Sequence, residues 1–410
     1  MPVTTVVRRI LGVTGLVVDG FAFEEDGLIV AVRPRWRRPR CGECGKRAPG
    51  YDERPARRWR HLGLGELRVW LEYAPRRVDC PRCGGVRTEP VPWAPHQSRF
   101  TWDFEELVAY LAQVSDRTKV TELMGISWRT VGAIVERVVA RRLDPSRLEG
   151  LRRIGIDEFS YRKYHRYLTT VVDHDRGRVV WAAPGRSAET LGAFFDALGE
   201  ERAAAIETVT IDMSEGYRKA VEERAPQAKI VYDRFHVQRL ASDAVDQVRR
   251  AQVRDLGVGT EEGQGIKGTR YALLKNPWDL TRKEKQKLSE LQRNNARLYR
   301  AYLLKETLAQ ALDYRQPGHA RRALEDWLAW ASRSKLAPFV KVARTIREHL
   351  DGVVAYLKER LTNGIVEGFN NKLRMIARRA FGFHSPEPLI AMLYLCCGGI
   401  QLNPPLPRPT

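Results

Sequence analysis

No stretch of the chain is apolar for the roughly 18 residues that a membrane-spanning helix needs. The longest apolar run, Leu389 to Cys397, is about half that length. Met1 to Val13 show no apolar leader core followed by a small-residue cleavage site, so the chain reads as intracellular. No Gly-x-Ser-x-Gly elbow is present, which argues against a Ser-His-Asp hydrolase. No phosphate-cradling Gly-x-x-x-x-Gly-Lys-Ser/Thr loop is present, which argues against an ATP-driven enzyme. No internal repeat is found. Acid is the scarce charge: 50 Asp+Glu stand against 70 Lys+Arg, a net of +20 over 410 residues. With 43% hydrophobic and 29% charged residues the composition is that of a folded chain, and the length suggests two to four domains. A surplus of positive charge on this scale serves nucleic acid or an anionic membrane surface.

The surplus is uneven. Residues 31–100 carry 17 Arg/Lys against 7 Asp/Glu, about half of the excess in about a sixth of the chain. The same stretch holds four of the six cysteines, as Cys41-x-x-Cys44-Gly45 and Cys80-x-x-Cys83-Gly84. Two matched knuckles, each with a glycine suited to a tight turn, supply the four thiolates of a tetrahedral structural zinc. Nothing leaves a coordination position open, so the metal is read as structural. Cys396 and Cys397 lie in an apolar helix and read as core. Ahead of the knuckles, Gly15–Phe23 and Gly27–Val32 alternate like a β-hairpin turning near Glu25-Asp26-Gly27. Between them, Glu66–Val78 alternates like a strand.

From Thr101 the pattern becomes helical, with Phe104, Leu107, Val108 and Leu111 on one face. A short helix, Lys119–Met124, then Gly125-Ile126, then a longer helix from Trp128 to about Arg142 capped by Ser127, read as a helix-turn-helix. Its second helix offers Arg129, Thr130, Arg137, Arg141 and Arg142 to DNA. From 151 onward, three short β-branched strands are followed by alternating helices and strands. That order gives an α/β arrangement with a mixed sheet. Residues 251–360 read as helical throughout.

Acids punctuate this α/β segment. Asp157 is read as the end of the first strand and Asp212 as the end of the fourth. Strand-end carboxylates sit at the sheet edge where ligands bind, and together they can hold a divalent ion. Glu158 follows Asp157 directly, but successive strand side chains face opposite ways, so one of the two meets the ion; Asp157 is the choice, with a slip of one residue allowed. Glu367, in Asn363-Gly364-x-x-Glu367-Gly368-x-Asn370, is a candidate third acid, with Asn371 and Arg374 one turn on and suited to phosphate. Asp233 and His236 form an Asp-x-x-His at the start of a helix, read as a cap with an auxiliary histidine.

The paired knuckles with Arg58-Trp59-Arg60-His61-Leu62 between them, Ile156-Asp157-Glu158, Val209–Met213, Asp233–His236, and the Glu367 motif leading to Arg378–Phe383 occur in one order. In that order they resemble the DDE transposases of bacterial insertion sequences, specifically the ISL-three family. The resemblance implies a multidomain α/β chain. A zinc ribbon (1–97) and a helix-turn-helix (98–148) precede a ribonuclease-H-like mixed sheet (149–250). An all-helical insertion (251–360) and a C-terminal part of the core carrying the catalytic Glu (361–410) follow. It implies a catalytic triad of Asp157, Asp212 and Glu367 binding Mg²⁺ or Mn²⁺, with Asp233 and His236 secondary. Arg58, Arg60, Arg129, Thr130, Asn371, Arg374 and Arg378 are the expected DNA contacts. The expected activity is cleavage and strand transfer at terminal inverted repeats, by a homodimer or larger assembly on double-stranded DNA in a prokaryotic cytoplasm, associated with the nucleoid. A domesticated DNA-binding regulator, or a structure-specific nuclease on the same core, are the rival readings.

Overall fold

A computed structural model describes residues 2–162, 166–359, 368–369, 371–372, 375–376 and 385–405. The chain divides into two compact units. One holds the described residues of 2–144 and 387–405, the other those of 145–376 and 385–386.

The first unit opens with α1 (Val3–Leu11), which the sequence pattern did not announce. The hairpin β1 (Leu16–Glu24) and β2 (Gly27–Pro34) turns where expected, with Glu24 opposite Gly27. The remaining strands are β3 (Gly50–Glu53), β4 (Arg57–Leu64), β5 (Leu67–Tyr73), β6 (Arg76–Cys80) and β7 (Gly85–Thr88). The single strand expected over Glu66–Val78 is therefore two, broken at Ala74-Pro75, and they serve different sheets. One sheet runs β1-β2-β5-β4 and the other β3-β6-β7. The four-stranded sheet has its own core, in which Trp59 and Trp93 pack edge to face with Leu11, Val30 and Leu71. The segment read as a zinc-ribbon domain opening with a hairpin thus holds two sheets, the larger one built on that hairpin.

The helix-turn-helix follows as α2 (Trp102–Val114), α3 (Arg117–Met124) and α4 (Trp128–Arg142). α3 ends at Gly125 in the left-handed conformation. Ser127 caps α4, accepting from the Thr130 N–H, which satisfies one of the unpaired donors of the helix start. The C-terminal helix Pro386–Cys397 belongs to this unit, with the Gln113 amide donating to the Leu395 carbonyl. The sequence reading groups this helix with a C-terminal part of the core, whereas it clusters here with the first unit.

In the second unit the sheet comprises β8 (Arg153–Arg162), β9 (Arg166–Asp173), β10 (Arg178–Pro184), β11 (Thr208–Ile211) and β12 (Lys229–Tyr232), in the order β10-β9-β8-β11-β12. β8, β9 and β10 form an antiparallel meander, while β8, β11 and β12 run parallel. Parallel neighbours need crossovers. These are α5 (Ala188–Leu198) with α6 (Glu200–Ala204), and then α7 (Glu215–Arg224). α8 (Arg234–Leu256) leaves β12 and passes unbroken through position 250. The helices beyond it share one hydrophobic cluster with the sheet: Ile154, Val209, Val237, Leu304, Trp327 and Ile346 all belong to it. The helical insertion is thus built onto the sheet's own core.

Candidate functional site

The centre of the second unit is set by strand register. β8 pairs with β11 from Arg153 opposite Thr208 to Gly155 opposite Thr210. The same register two residues further on brings Asp157 opposite Asp212. Asp157 does not end its strand, contrary to expectation; it lies within β8, opposite Thr170 of β9. Only the parallel pairing stops before it, because β11 ends at Ile211 while the β8–β9 hairpin continues. Asp212 leaves β11 and turns into α7, its Oδ1 accepting from the Ser214 N–H at 3.0 Å. Asp157 Oδ1 accepts from the Glu158 N–H at 2.7 Å.

Burial pushes the Asp212 carboxyl above its usual range, and the charge of Asp157 adds to this, against the opposing influence of His236. Glu158 is also raised, first by burial and then by the charge of Asp212, with Arg186 opposing. Cross-strand pairing separates the two adjacent acids: Asp157 shares its side of the sheet with Thr170, and Glu158 shares the other with Thr169. Thr169 Oγ1 lies 2.8 Å from the Tyr217 hydroxyl, and Glu158 lies 4.0 Å from the Arg186 guanidinium. Arg186 is a neighbour of the acids that sequence reading missed. It follows a strand end with no local pattern of its own, and it is placed by Gly185, whose N–H donates to the Tyr167 carbonyl.

Asp233 caps α8, accepting from the Phe235 N–H at 2.6 Å, and His236 Nε2 stands 3.8 Å from its carboxylate. Glu367, Arg374 and Arg378 lie outside the described residues. Asn371 is exposed in a helical turn.

In the first unit the four cysteines meet. Cys41 Sγ is 3.9 Å from Cys83 Sγ, and Cys44 Sγ is 3.7 Å from Cys80 Sγ. Zinc–sulfur bonds of about 2.3 Å in a tetrahedron require sulfurs about 3.8 Å apart, so the quartet fits a structural zinc. The two knuckles are built alike. Gly45 N–H donates to Cys41 C=O and Gly84 N–H to Cys80 C=O, with both glycines at positive φ. That conformation carries no Cβ penalty in glycine. Backbone N–H groups of Cys44 and Glu43 aimed at Cys41 bring its thiol down to about 7, toward the thiolate a metal needs. Among the described residues, this is the only place where three or more ligand-bearing side chains bring their ligand atoms within 4.8 Å of one another.

The cations expected on DNA are divided by the structure. Arg129 is exposed at the first turn of α4, and Thr130 sits in the cap with its Oγ1 2.9 Å from Ser127 Oγ. Arg58 is held between Glu24 and Glu72 at 2.9 and 2.7 Å. Arg60 donates to the Gly125 carbonyl at 3.0 Å and lies over the Phe104 ring. Arg137 and Arg142 bind Glu105 and Glu106 of α2 at 2.6 and 2.9 Å, and Arg141 stands 3.6 Å from each acid. These three tie α4 to α2, where the sequence reading had offered them to DNA. The pairing was invisible in sequence because the acids lie about 30 residues earlier on a helix face that otherwise reads as apolar core.

Comparison with known families places the chain. A family model described as a transposase, of the ISL3 DDE type, matches residues 154–393. The chain belongs to the ISL3 family of transposases. The helix-turn-helix domain of transposase family ISL3 matches residues 89–139. The zinc-finger of the transposases IS204/IS1001/IS1096/IS1165 matches residues 37–83. The transposase for insertion sequence element IS1557 of Mycobacterium tuberculosis is 43% identical over 96% of this chain and 95% of its own length. The transposase for insertion sequence element IS1001 of Bordetella parapertussis is 35% identical over 88% of this chain and 89% of its own. No helix among the described residues is long and apolar enough to cross a membrane.

Proposed function

We propose that this family member is a DDE transposase that binds the terminal inverted repeats of an insertion sequence and catalyses metal-dependent DNA cleavage and strand transfer. The observation that carries the reading is the β8–β11 register, which, continued two residues past its last pair, sets Asp157 of β8 beside Asp212 just beyond the end of β11. The sheet order, an antiparallel meander with two parallel strands added beside its first strand, supports a ribonuclease-H-like core. Asp157, Asp212 and Glu367 would hold two Mg²⁺ or Mn²⁺ ions. The donor set suits a hard cation: carboxylate oxygens, one of them on a half-buried Asp212 raised first by burial and then by the charge of Asp157, are stabilised when a divalent ion joins them. Divalent ions held by these carboxylates would supply Lewis-acid polarisation of the scissile phosphate and activation of a water or 3′-hydroxyl nucleophile.

The chain's own groups do the rest. The Ser214 N–H and the Glu158 N–H orient the two aspartates. Asp233 fixes the start of α8 and so the position of His236, an auxiliary group whose charge acts on Asp212. The four cysteines hold a structural zinc, and the helix-turn-helix presents Arg129 to the end sequence. Because transposition joins two ends, a homodimer or larger assembly on double-stranded DNA is the working form, in the cytoplasm at the nucleoid.

The test is strand cleavage and transfer by the full chain on DNA carrying the sequences that flank its gene, with Mg²⁺. Asp157→Asn and Asp212→Asn should each lower the rate at least about a thousandfold with end binding retained. Activity at the native level in either variant contradicts the assignment.

A further inference from the structure

A second polar feature of the first unit is absorbed neither by the zinc site nor by the recognition helix. Between β4 and the segment that leads into α2 lies a groove of about 800 Å³, bordered by Arg57, Arg58 and Arg60, by Gln97 and Arg99, and by Ile126 of the helix-turn-helix turn. Its walls are pinned together by backbone. Arg60 N–H donates to the Arg99 carbonyl at 2.9 Å, and Thr101 N–H donates to the Arg60 carbonyl at 3.0 Å. The segment therefore meets β4 through a single parallel bridge, Arg60 with Phe100.

The charges in this groove are not balanced. Glu24 and Glu72 occupy Arg58. Among the described residues no carboxylate comes within ion-pair distance of Arg57, Arg60 or Arg99. Arg57 is fixed by donating to the Ser98 carbonyl at 2.6 Å and by lying over the Trp59 ring. Arg60 Nε is buried without a hydrogen-bond partner. Burial and the charge of Arg99 hold Arg57 below its ordinary pKa, and burial and Arg68 do the same to Arg60. Gln97, at the groove's edge, has a φ of +67°, one of two non-glycine residues at positive φ among those described. Backbone held in that region costs free energy, and such strain gathers at ligand sites. Three guanidiniums held close together without counter-charge are a site for an anion carrying several spaced charges.

We infer that this groove holds the phosphodiester backbone of duplex DNA beside the segment read by α4, so that Arg57, Arg60 and Arg99 supply sequence-independent affinity while Arg129 supplies discrimination. The inference rests on the DNA-binding reading above. A duplex is favoured because the groove borders the turn that launches α4: Ile126 lines it, and Ser127 caps the helix. Phosphate contacts fix register on a duplex without reading sequence, which suits a groove next to a recognition helix.

Arg99 is the informative position, because its side chain is exposed while its backbone carbonyl accepts from the Arg60 N–H. Binding of the full chain is measured by fluorescence anisotropy across a salt series. The probes are a random-sequence duplex about three helical turns long and a duplex of the same length from the DNA flanking the gene. Arg99→Ala should weaken binding to both probes by the same factor and lower the salt slope by about 1. Arg99→Glu should weaken both further, and Arg129→Ala should weaken the flanking duplex more than the random one. Native affinity and native slope in Arg99→Glu, alongside weakened binding in Arg129→Ala, overturn the groove and leave the DNA reading standing. Failure of the native chain to bind either duplex overturns both.

Discussion

The chain carries two candidate metal sites built on opposite plans. In the first unit four thiolates gather beside one small three-stranded sheet, two from each of two local knuckles with matching backbone hydrogen bonds. In the second, carboxylates come from strands 55 positions apart (Asp157 and Asp212), and burial together with mutual repulsion raises Asp212. The first arrangement is complete without substrate and leaves no coordination position for one, so its metal can only hold structure. The second brings carboxylates together within a chain of net charge +20. Oxygen donors of that kind suit a divalent ion, and with it a phosphate.

The contrast can be broken first at the thiolate site. Removing zinc with a chelator, or Cys41→Ser, should unfold the β3-β6-β7 sheet, because the cluster there consists of little besides Cys41, Val78 and Cys80. Circular dichroism and metal analysis should show loss of strand signal with loss of zinc. Retained structure without zinc would make the site incidental.

Glu105 supplies a closed cluster of another kind. Its side chain is fully buried, and it accepts from Ser98 Oγ and from two Arg137 nitrogens. Glu105→Gln should destabilise the first unit by about 3 kcal/mol, measured by denaturant unfolding, because partly buried cations lose their counter-charge.

The smallest effect is expected at Asp212. A carboxyl whose folded pKa is raised binds its proton more tightly in the native state. Its contribution is complete below the unfolded carboxylate pKa and is lost as pH rises through the raised value. Without divalent ions, Asp212→Asn should therefore melt higher than the native chain at neutral pH, by a few degrees, with the difference vanishing in acid. A lower melting temperature would contradict the strain assigned to this carboxylate.

These sites differ as much in how they are written in sequence. Both knuckles are local, so spacing alone gave the ligands and the glycines. The helix-turn-helix is equally local: the Ser127 cap and the stop at Gly125 stand where the pattern puts them. The carboxylate site depends on register between strands. The acids at 157 and 212 were legible as acids near strands, but the continuation of β8 past Asp157 was not, since Asp and Glu are poor strand formers and the β9 pairing overrides that preference. α1 was missed for the converse reason. Its β-branched Val and Thr favour strands, and the helix gains from seating Leu11 in the four-stranded sheet's core. The ion pairs of Arg137, Arg141 and Arg142 with α2 are not legible in sequence, because a cation's partner across a helix pair leaves no trace in the cation's own neighbourhood.

The most direct test of the two-plan account measures both metals in one set of proteins. Zinc content and Mn²⁺ binding by electron paramagnetic resonance are compared in the native chain, Cys41→Ser and Asp212→Asn. The account predicts a crossed result: Asp212→Asn keeps its zinc and loses Mn²⁺ binding, while Cys41→Ser loses zinc and keeps Mn²⁺ binding. Native Mn²⁺ binding in Asp212→Asn would contradict it.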